Sequence, residues 1–148
     1  MTFSKILVPY DGSTYSDKAF DKALEIASKF SSEITALSIL EAETEDGHIG
    51  KSLDKLEEKQ DQRVSEAKSM LENLQEEAQA KNVPIVLKTI HDPSPSEGIL
   101  TFAQSNEVGL IVMGSHGRTG LKKLVLGSIA NDVVVKAKCP VLIIKQSE

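Results

Sequence analysis

Leu110-Ile111-Val112-Met113-Gly114-Ser115-His116-Gly117-Arg118-Thr119-Gly120, continued through Leu126 to Gly127-Ser128, is the stretch on which the reading of this chain turns. The four apolar residues at its head read as a strand covered on both faces, as in a buried parallel sheet. Three glycines within seven residues follow. Glycine costs conformational entropy unless the backbone needs room or a positive φ, and a loop that presses main-chain N–H groups against an anion needs both. A helical period opens at Ser128 and places Ile129, Val133 and Ala137 on its inward stripe. The start of such a helix offers unpaired N–H groups and a positive dipole end. Strand, glycine loop and helix start together describe a phosphate cradle.

Working outward, four more apolar runs resemble the one at Leu110. They are Ile6 to Val8, stopped by Pro9 and Asp11-Gly12; Ile34 to Leu40; Ile85 to Ile90, with Pro84 at its mouth; and Val141 to Ile144, with Pro140 at its first position. Helical patterns separate them. Ser16 to Phe30 carries Ala19, Ala23, Ile26, Ala27 and Phe30 on one stripe. Lys51 to Lys81 carries Leu53, Leu56, Val64, Ala67, Leu71, Leu74 and Ala78 at spacings of three and four, with a gap at Gln60, and its many charges read as a solvated face. The third helix opens at an N-cap, Ser94, with Pro95 first and Glu97 completing a capping box; Ile99, Leu100 and Ala103 face inward. Strand and helix alternate throughout. That order predicts parallel strands joined by right-handed crossovers in one α/β domain over residues 1–148. Glu41 to Gly50 reads as a loop on the ligand side, either a flap or an ordinary connection.

Bulk properties narrow the function classes. Length 148, 40% hydrophobic and 26% charged residues suit one globular domain with a substantial core. Aromatics are 4% with no Trp, so Val, Ile, Leu and Ala must build that core. A net charge of −5 argues against a nucleic-acid binder, while a local amide cluster still suits a small phosphorylated ligand. Cys139 is the only cysteine, which removes any internal disulfide and fits a reducing compartment. Its place before Pro140 and an apolar strand reads as a buried thiol, not a nucleophile. There is no signal peptide and no run approaching a membrane span, so the expected setting is cytoplasmic.

In open α/β sheets, ligands bind outside the carboxyl ends of the strands where the winding reverses. With strand one central and strand four beside it, the reversal lies between them. The loops there hold the unusual residues. Asp11, in Pro9-Tyr10-Asp11-Gly12-Ser13, has two readings: a carboxylate for ribose hydroxyls or an adenine amine, and a turn residue serving the first helix. Ser128 reads as a phosphate donor, as an N-cap, or as both. Arg118, Lys122 and Lys123 add positive charge or form a solvated loop. His116 reads as a phosphate ligand more readily than as a general acid, because no second histidine lies near it. No metal-ligand spacing occurs, and His91-Asp92 is too little for one. Walker A, the dinucleotide fingerprint and the nucleophile elbow are all absent.

Gly114-x-x-Gly117, nine residues, then Gly127-Ser128 resembles the ATP-binding signature of the universal stress proteins. Ile6-Leu7-Val8-Pro9-Tyr10-Asp11-Gly12-Ser13 is similar to that family's first strand and turn, and Cys139-Pro140-Val141-Leu142-Ile143-Ile144 to its last strand. The resemblance covers the whole chain. It implies a five-stranded parallel sheet in the order 3-2-1-4-5. It also implies ATP, with AMP and ADP as alternatives, seated with adenine near Asp11 and Ile39, ribose near Pro9, Asp11 and Gly114, and phosphates over Gly117, Gly127, Ser128 and Ile129. Met113, Ser115, His116, Arg118 and Gly120 complete the candidate set. Mg²⁺ held mainly by the phosphates is compatible with it. A homodimer through Val141 to Ile144 is also implied, and an open strand edge favours one physically. Two positions depart from the pattern: Pro93 stands where many members have glycine, and Ala130 where some have Thr. The readings of function are three: a nucleotide-dependent regulator with slow or no hydrolysis, an ATP-cleaving or nucleotidyl-transferring enzyme, and a dimeric interaction module with a vestigial pocket. The downstream protein partner is not legible.

Overall fold

The computed structural model describes residues 3–41, 53–117 and 126–145, with side chains of the second helix described from residue 61. Nine elements alternate: β1 (Lys5–Pro9), α1 (Thr14–Phe30), β2 (Glu33–Leu40), α2 (Leu53–Ala80), β3 (Ile85–His91), α3 (Pro95–Ser105), β4 (Leu110–Gly114), α4 (Ser128–Lys136) and β5 (Val141–Ile144). The five strands form one parallel sheet in the order β3-β2-β1-β4-β5. The expected fold class and strand order are therefore observed.

Why the strands read as continuous apolar runs follows from the pleat. Successive side chains point to opposite faces, and both faces are covered here. Ile6, Val8, Ile34, Ala36, Leu110 and Val112 join Phe20, Leu24, Leu71 and Leu74 in one layer, under α1 and α2. Leu7, Leu37, Ile111 and Met113 join Ile99, Ala103, Ala130 and Val133 in the other, under α3 and α4. Each fully buried Leu or Ile in these layers contributes about 1.5–3 kcal/mol over an exposed one.

Three local expectations are corrected. In α1, Phe30 is 52% exposed, while Phe20 and Leu24 are buried. The chain turns away at Ser31, whose φ is 54°, so the last helical residue overhangs the core and meets Phe3 edge-on at 5.6 Å. In α3, Ser94 caps through its side chain as expected, accepting from the Glu97 N–H at 3.4 Å. The reciprocal bond is not made by Glu97. Asp92 Oδ1 accepts the Ser94 N–H at 2.8 Å, which leaves Glu97 beside Lys136 at 3.5 Å. In α4, Ile129 is 37% exposed, and Ala130 is buried instead. At about 100° per residue, Ala130 and Ala137 lie to one side of Val133 and Ile129 to the other, so the helix rolls onto the alanine side.

Candidate functional site

β1 and β4 are neighbours in the sheet, with Ile6 opposite Leu110 and Leu7 opposite Ile111. The winding reverses between them, so their carboxyl ends border the crossover cleft. Two glycines near that cleft are explained by room rather than by left-handed backbone. A Cβ on Gly114 would stand 2.6 Å from Tyr15 Cβ and 3.0 Å from the Tyr15 carbonyl carbon and oxygen. The first turn of α1 thus packs directly on the end of β4. A Cβ on Gly117 would stand 2.8 Å from Asp11 Oδ2. Among the described glycines only Gly12, φ 82°, needs a positive φ.

The turn after β1 is held at several points. The Tyr10 N–H donates to the Leu37 carbonyl at 2.8 Å, and its hydroxyl donates to Asp17 in α1. Burial first, then that bond and the carboxylates of Asp17, Glu77 and Asp11, push the Tyr10 phenol well above its ordinary pKa, so it stays a donor. Asp11 Oδ1 accepts the Ser13 N–H at 2.9 Å, and Ser13 Oγ accepts the Ser16 N–H at 3.1 Å, capping α1. The helix cap is Ser13; Asp11 holds the turn that precedes it. Its second oxygen faces Gly117.

The loop after β4 is tied to α4. The Gly127 N–H donates to the Ser115 carbonyl at 2.7 Å. A Cβ on Gly127 would lie 3.2 Å from that oxygen and 3.4 Å from His116 Cα. Gly127 is itself the N-cap, with φ −66° and ψ 164°; no side chain caps the helix and its first turn carries no acid. Ser128, read above as an N-cap, is instead the first helical residue and is exposed. Ser115 is buried, and its Oγ lies 3.0 Å from His116 Nδ1. The His116 ring sits 5.3 Å from the Tyr15 ring at 51°.

Asp11, Gly114, Ser115, His116, Gly117 and Gly127 therefore come together, joined by Tyr15. Pro9 closes β1 opposite Leu37. Ile39 lies two residues past Leu37 at the same end of the sheet, half-buried against the α3–α4 layer, with its Cδ1 3.1 Å from where a Gly98 Cβ would stand. Met113 is 5% exposed and belongs to that core layer. Arg118 and Gly120 lie outside the described residues, as do Lys122, Lys123 and the Glu41 to Gly50 loop beyond Glu41. Tyr15 and the Tyr10–Asp17 bond were not anticipated; the glycine at 114 is the only hint in the sequence that a helix packs so closely there. Cys139 is half-buried, and burial raises its thiol pKa, the opposite of what a nucleophile needs.

The architecture defines a class: an open, doubly wound α/β domain with a glycine-lined crevice at its topological switch point. The universal stress protein family model matches residues 2–145, and the chain belongs to that family. It is 34% identical over 149 residues to universal stress protein YxiE of Bacillus subtilis, covering 97% of this chain and 99% of that one. It is 32% identical over 145 residues to universal stress protein MJ0531 of Methanocaldococcus jannaschii, covering 97% and 83%. Among solved structures, UspA of Lactobacillus plantarum superposes with a TM-score of 0.84 at 27% identity, over 96% of this chain and 97% of that one. Two more distant structures share the fold, a universal stress protein in complex with cAMP (20% identity, TM-score 0.72) and one from Archaeoglobus fulgidus in complex with dAMP (22%, 0.71). They cover 98% of this chain each, and 98% and 100% of their own chains.

Proposed function

We propose that this chain, as one domain over residues 1–148, is a cytoplasmic ATP-binding regulator that hydrolyses its ligand slowly or not at all. One observation carries the reading: the Gly127 N–H to Ser115 carbonyl bond of 2.7 Å brings an uncapped helix start to the glycine loop, beside a carboxylate 2.8 Å from where a Gly117 Cβ would be. The residues fit the ligand, because glycines at 117 and 127 let the loop, the Asp11 turn and the helix start approach one another, so that main-chain donors gather where its charge would lie. Asp11 suits ribose hydroxyls and Ile39 an adenine face. Gly117, Ser128 and Ile129 offer amides to the phosphates, Gly127 lies beneath them with its own N–H held by the Ser115 carbonyl, and Ser115, His116, Arg118 and Gly120 belong to the loop. Mg²⁺, where present, is held mainly by the phosphates. The cAMP and dAMP complexes of the two distant family members favour an adenine nucleotide as the ligand class.

A regulator is favoured over an enzyme because the groups gathered at the cleft, glycine-loop amides and a helix start, suit holding an anion. β5 ends the sheet, and Leu142 on it is 37% exposed, which supports pairing of two copies through Val141 to Ile144. Mass spectrometry of nucleotide copurifying with the native protein, followed by calorimetric titration, tests the ligand. Adenine nucleotide and a micromolar Kd, about −7 to −9 kcal/mol, are expected. No copurifying nucleotide together with no binding heat from ATP, ADP or AMP refutes the reading.

A further inference from the structure

Ser115 is 3% exposed, and each of its polar groups is engaged. Its N–H donates to the Ile144 carbonyl at 3.0 Å, its carbonyl accepts the Gly127 N–H at 2.7 Å, and its Oγ lies 3.0 Å from Nδ1 of His116. The imidazole is bounded on two further sides. The Tyr15 ring stands 5.3 Å away, and His116 Cδ2 lies 3.6 Å from where a Gly127 Cβ would be. Nδ1 and Cδ2 flank Cγ on opposite edges of the ring. With Nδ1 turned to Ser115, the Nε2 bonded to Cδ2 belongs to the edge that faces the start of α4.

We propose that Ser115 is a positioning residue, which holds His116 so that its Nε2–H is presented to the same phosphate group as the Gly127–Ser128 helix start. The proposal rests on the nucleotide reading above and assigns the side chain that orients the phosphate end. A hydroxyl suits this task because it both donates and accepts. Toward a neutral imidazole, Ser115 donates its O–H to Nδ1, which places the ring proton on Nε2. Toward an imidazolium, it accepts from Nδ1–H. In both states Nε2 keeps a hydrogen to donate. The two main-chain bonds of Ser115 fix where its Oγ stands, one to β5 and one to α4. The orienting group is therefore built into the joint between the cradle's two halves. Tyr15 confines the ring on the α1 side.

Histidine-selective ¹⁵N spectra of the full chain read the tautomer directly, with the other two histidines assigned through His48→Gln and His91→Gln. The wild-type His116 is expected to carry its neutral-state proton on Nε2, and ATP is expected to shift that resonance. Ser115→Ala keeps both main-chain bonds, so it folds. In it the tautomers mix, ATP binding weakens about fivefold and adenosine binding by less than about twofold; His116→Gln weakens ATP binding about tenfold, as loss of a charge-assisted bond implies. A wild-type tautomer and wild-type ATP affinity in Ser115→Ala overturn the proposal. So do equal losses for ATP and adenosine. If the wild-type protein binds ATP and His116→Gln binds it equally well, the proposal falls while the nucleotide reading stands. If the wild-type protein binds neither ATP nor adenosine, both fall.

Discussion

Replacing Gly117 with Ala tests the meeting of the two loops at a single atom. The added methyl would stand 2.8 Å from Asp11 Oδ2, whereas ordinary contacts begin at 3.4 Å, so one side must give by about 0.6 Å. The carboxylate does not move alone. Its other oxygen holds the Ser13 N–H at 2.9 Å, and a displacement of that size takes this bond past hydrogen-bonding distance. A bond to a charged acceptor contributes about 1.5–3 kcal/mol, and relief through the flexible end of Asp11 keeps the cost at the lower end. Folding stability is therefore expected to fall by about 1.5 kcal/mol, roughly 3–6 °C in Tm for a chain of this size. Ligand binding should suffer more, because the displaced carboxylate and the new methyl enter the proposed ribose and phosphate positions together. ATP affinity is expected to drop at least about tenfold, or about 1.4 kcal/mol. Calorimetric titration with ATP and adenosine measures the loss, and a cycle with Asp11→Ala locates it. In the Asp11→Ala background the obstructed oxygen is gone, so the stability cost of Gly117→Ala should shrink by most of its value. Wild-type affinity in Gly117→Ala refutes the reasoning, as does a stability cost unchanged by removal of Asp11.

Gly114→Ala should be the more destabilising of the two glycine changes, by about 1–3 kcal/mol, because its methyl meets the Tyr15 Cβ and carbonyl, which move only with the helix, rather than a side-chain tip; an unaltered thermal midpoint would contradict the packing described. Tyr10→Phe removes the bond to Asp17 and should cost about 1 kcal/mol at neutral pH. The folded phenol titrates above its unfolded value of 10.0, so the folded state holds the proton longer; the wild-type advantage is complete below pH 10 and declines as pH rises further. Denaturant melts from pH 8 to 11 should show that decline in the wild type and a smaller one in Tyr10→Phe. Glu77 has its pKa raised by burial and by Asp21 and Asp17 across the α1–α2 face. Glu77→Gln should therefore raise the thermal midpoint at pH 7, less so in high salt, and no gain at low salt would show that the repulsion is negligible.

Much of the fold was legible because its signals are local and repeated. Each central strand must bury both faces, so Ile6 to Val8 and Leu110 to Met113 are apolar without alternation, and only a covered parallel sheet asks for that. Where the expectations failed, the deciding fact was tertiary. Helical period placed Phe30 inward, but period carries no information about where the sheet beneath a helix stops. Ile129 failed for a related reason. Two rolls of α4 both bury Val133, and the choice between Ile129 and Ala130 is made by how closely the helix must approach the sheet. The capping box at Ser94 was right in its residue types, yet Asp92 was nearer to the orphan amide than Glu97. A sequence pattern specifies the need for an acceptor and not which of two supplies it.

The glycine pattern was legible as a signature, but its spacing conceals three separate physical demands. Gly114 is small because the first turn of α1 lies on it, which concerns packing and brings Tyr15 to the cleft. Gly117 is small because a carboxylate from another segment faces it. Gly127 is small because a carbonyl and the His116 backbone lie within 3.4 Å of its missing side chain, so the helix can begin against the loop. Among these three, none needs a left-handed backbone, and each removes a different obstacle to bringing β1, β4 and α4 to one point. The order of assembly then explains why the motif must be spaced as it is. Nine residues separate Gly117 from Gly127, yet the Gly127 N–H returns to Ser115, so the intervening segment must close a loop upon its own beginning. A shorter connection would have to start α4 before it reached the Ser115 carbonyl. Deleting two residues between Gly120 and Leu126 should therefore cost ATP affinity more than it costs folding, since the five strands and, among the described residues, the buried members of both core layers lie in other parts of the chain.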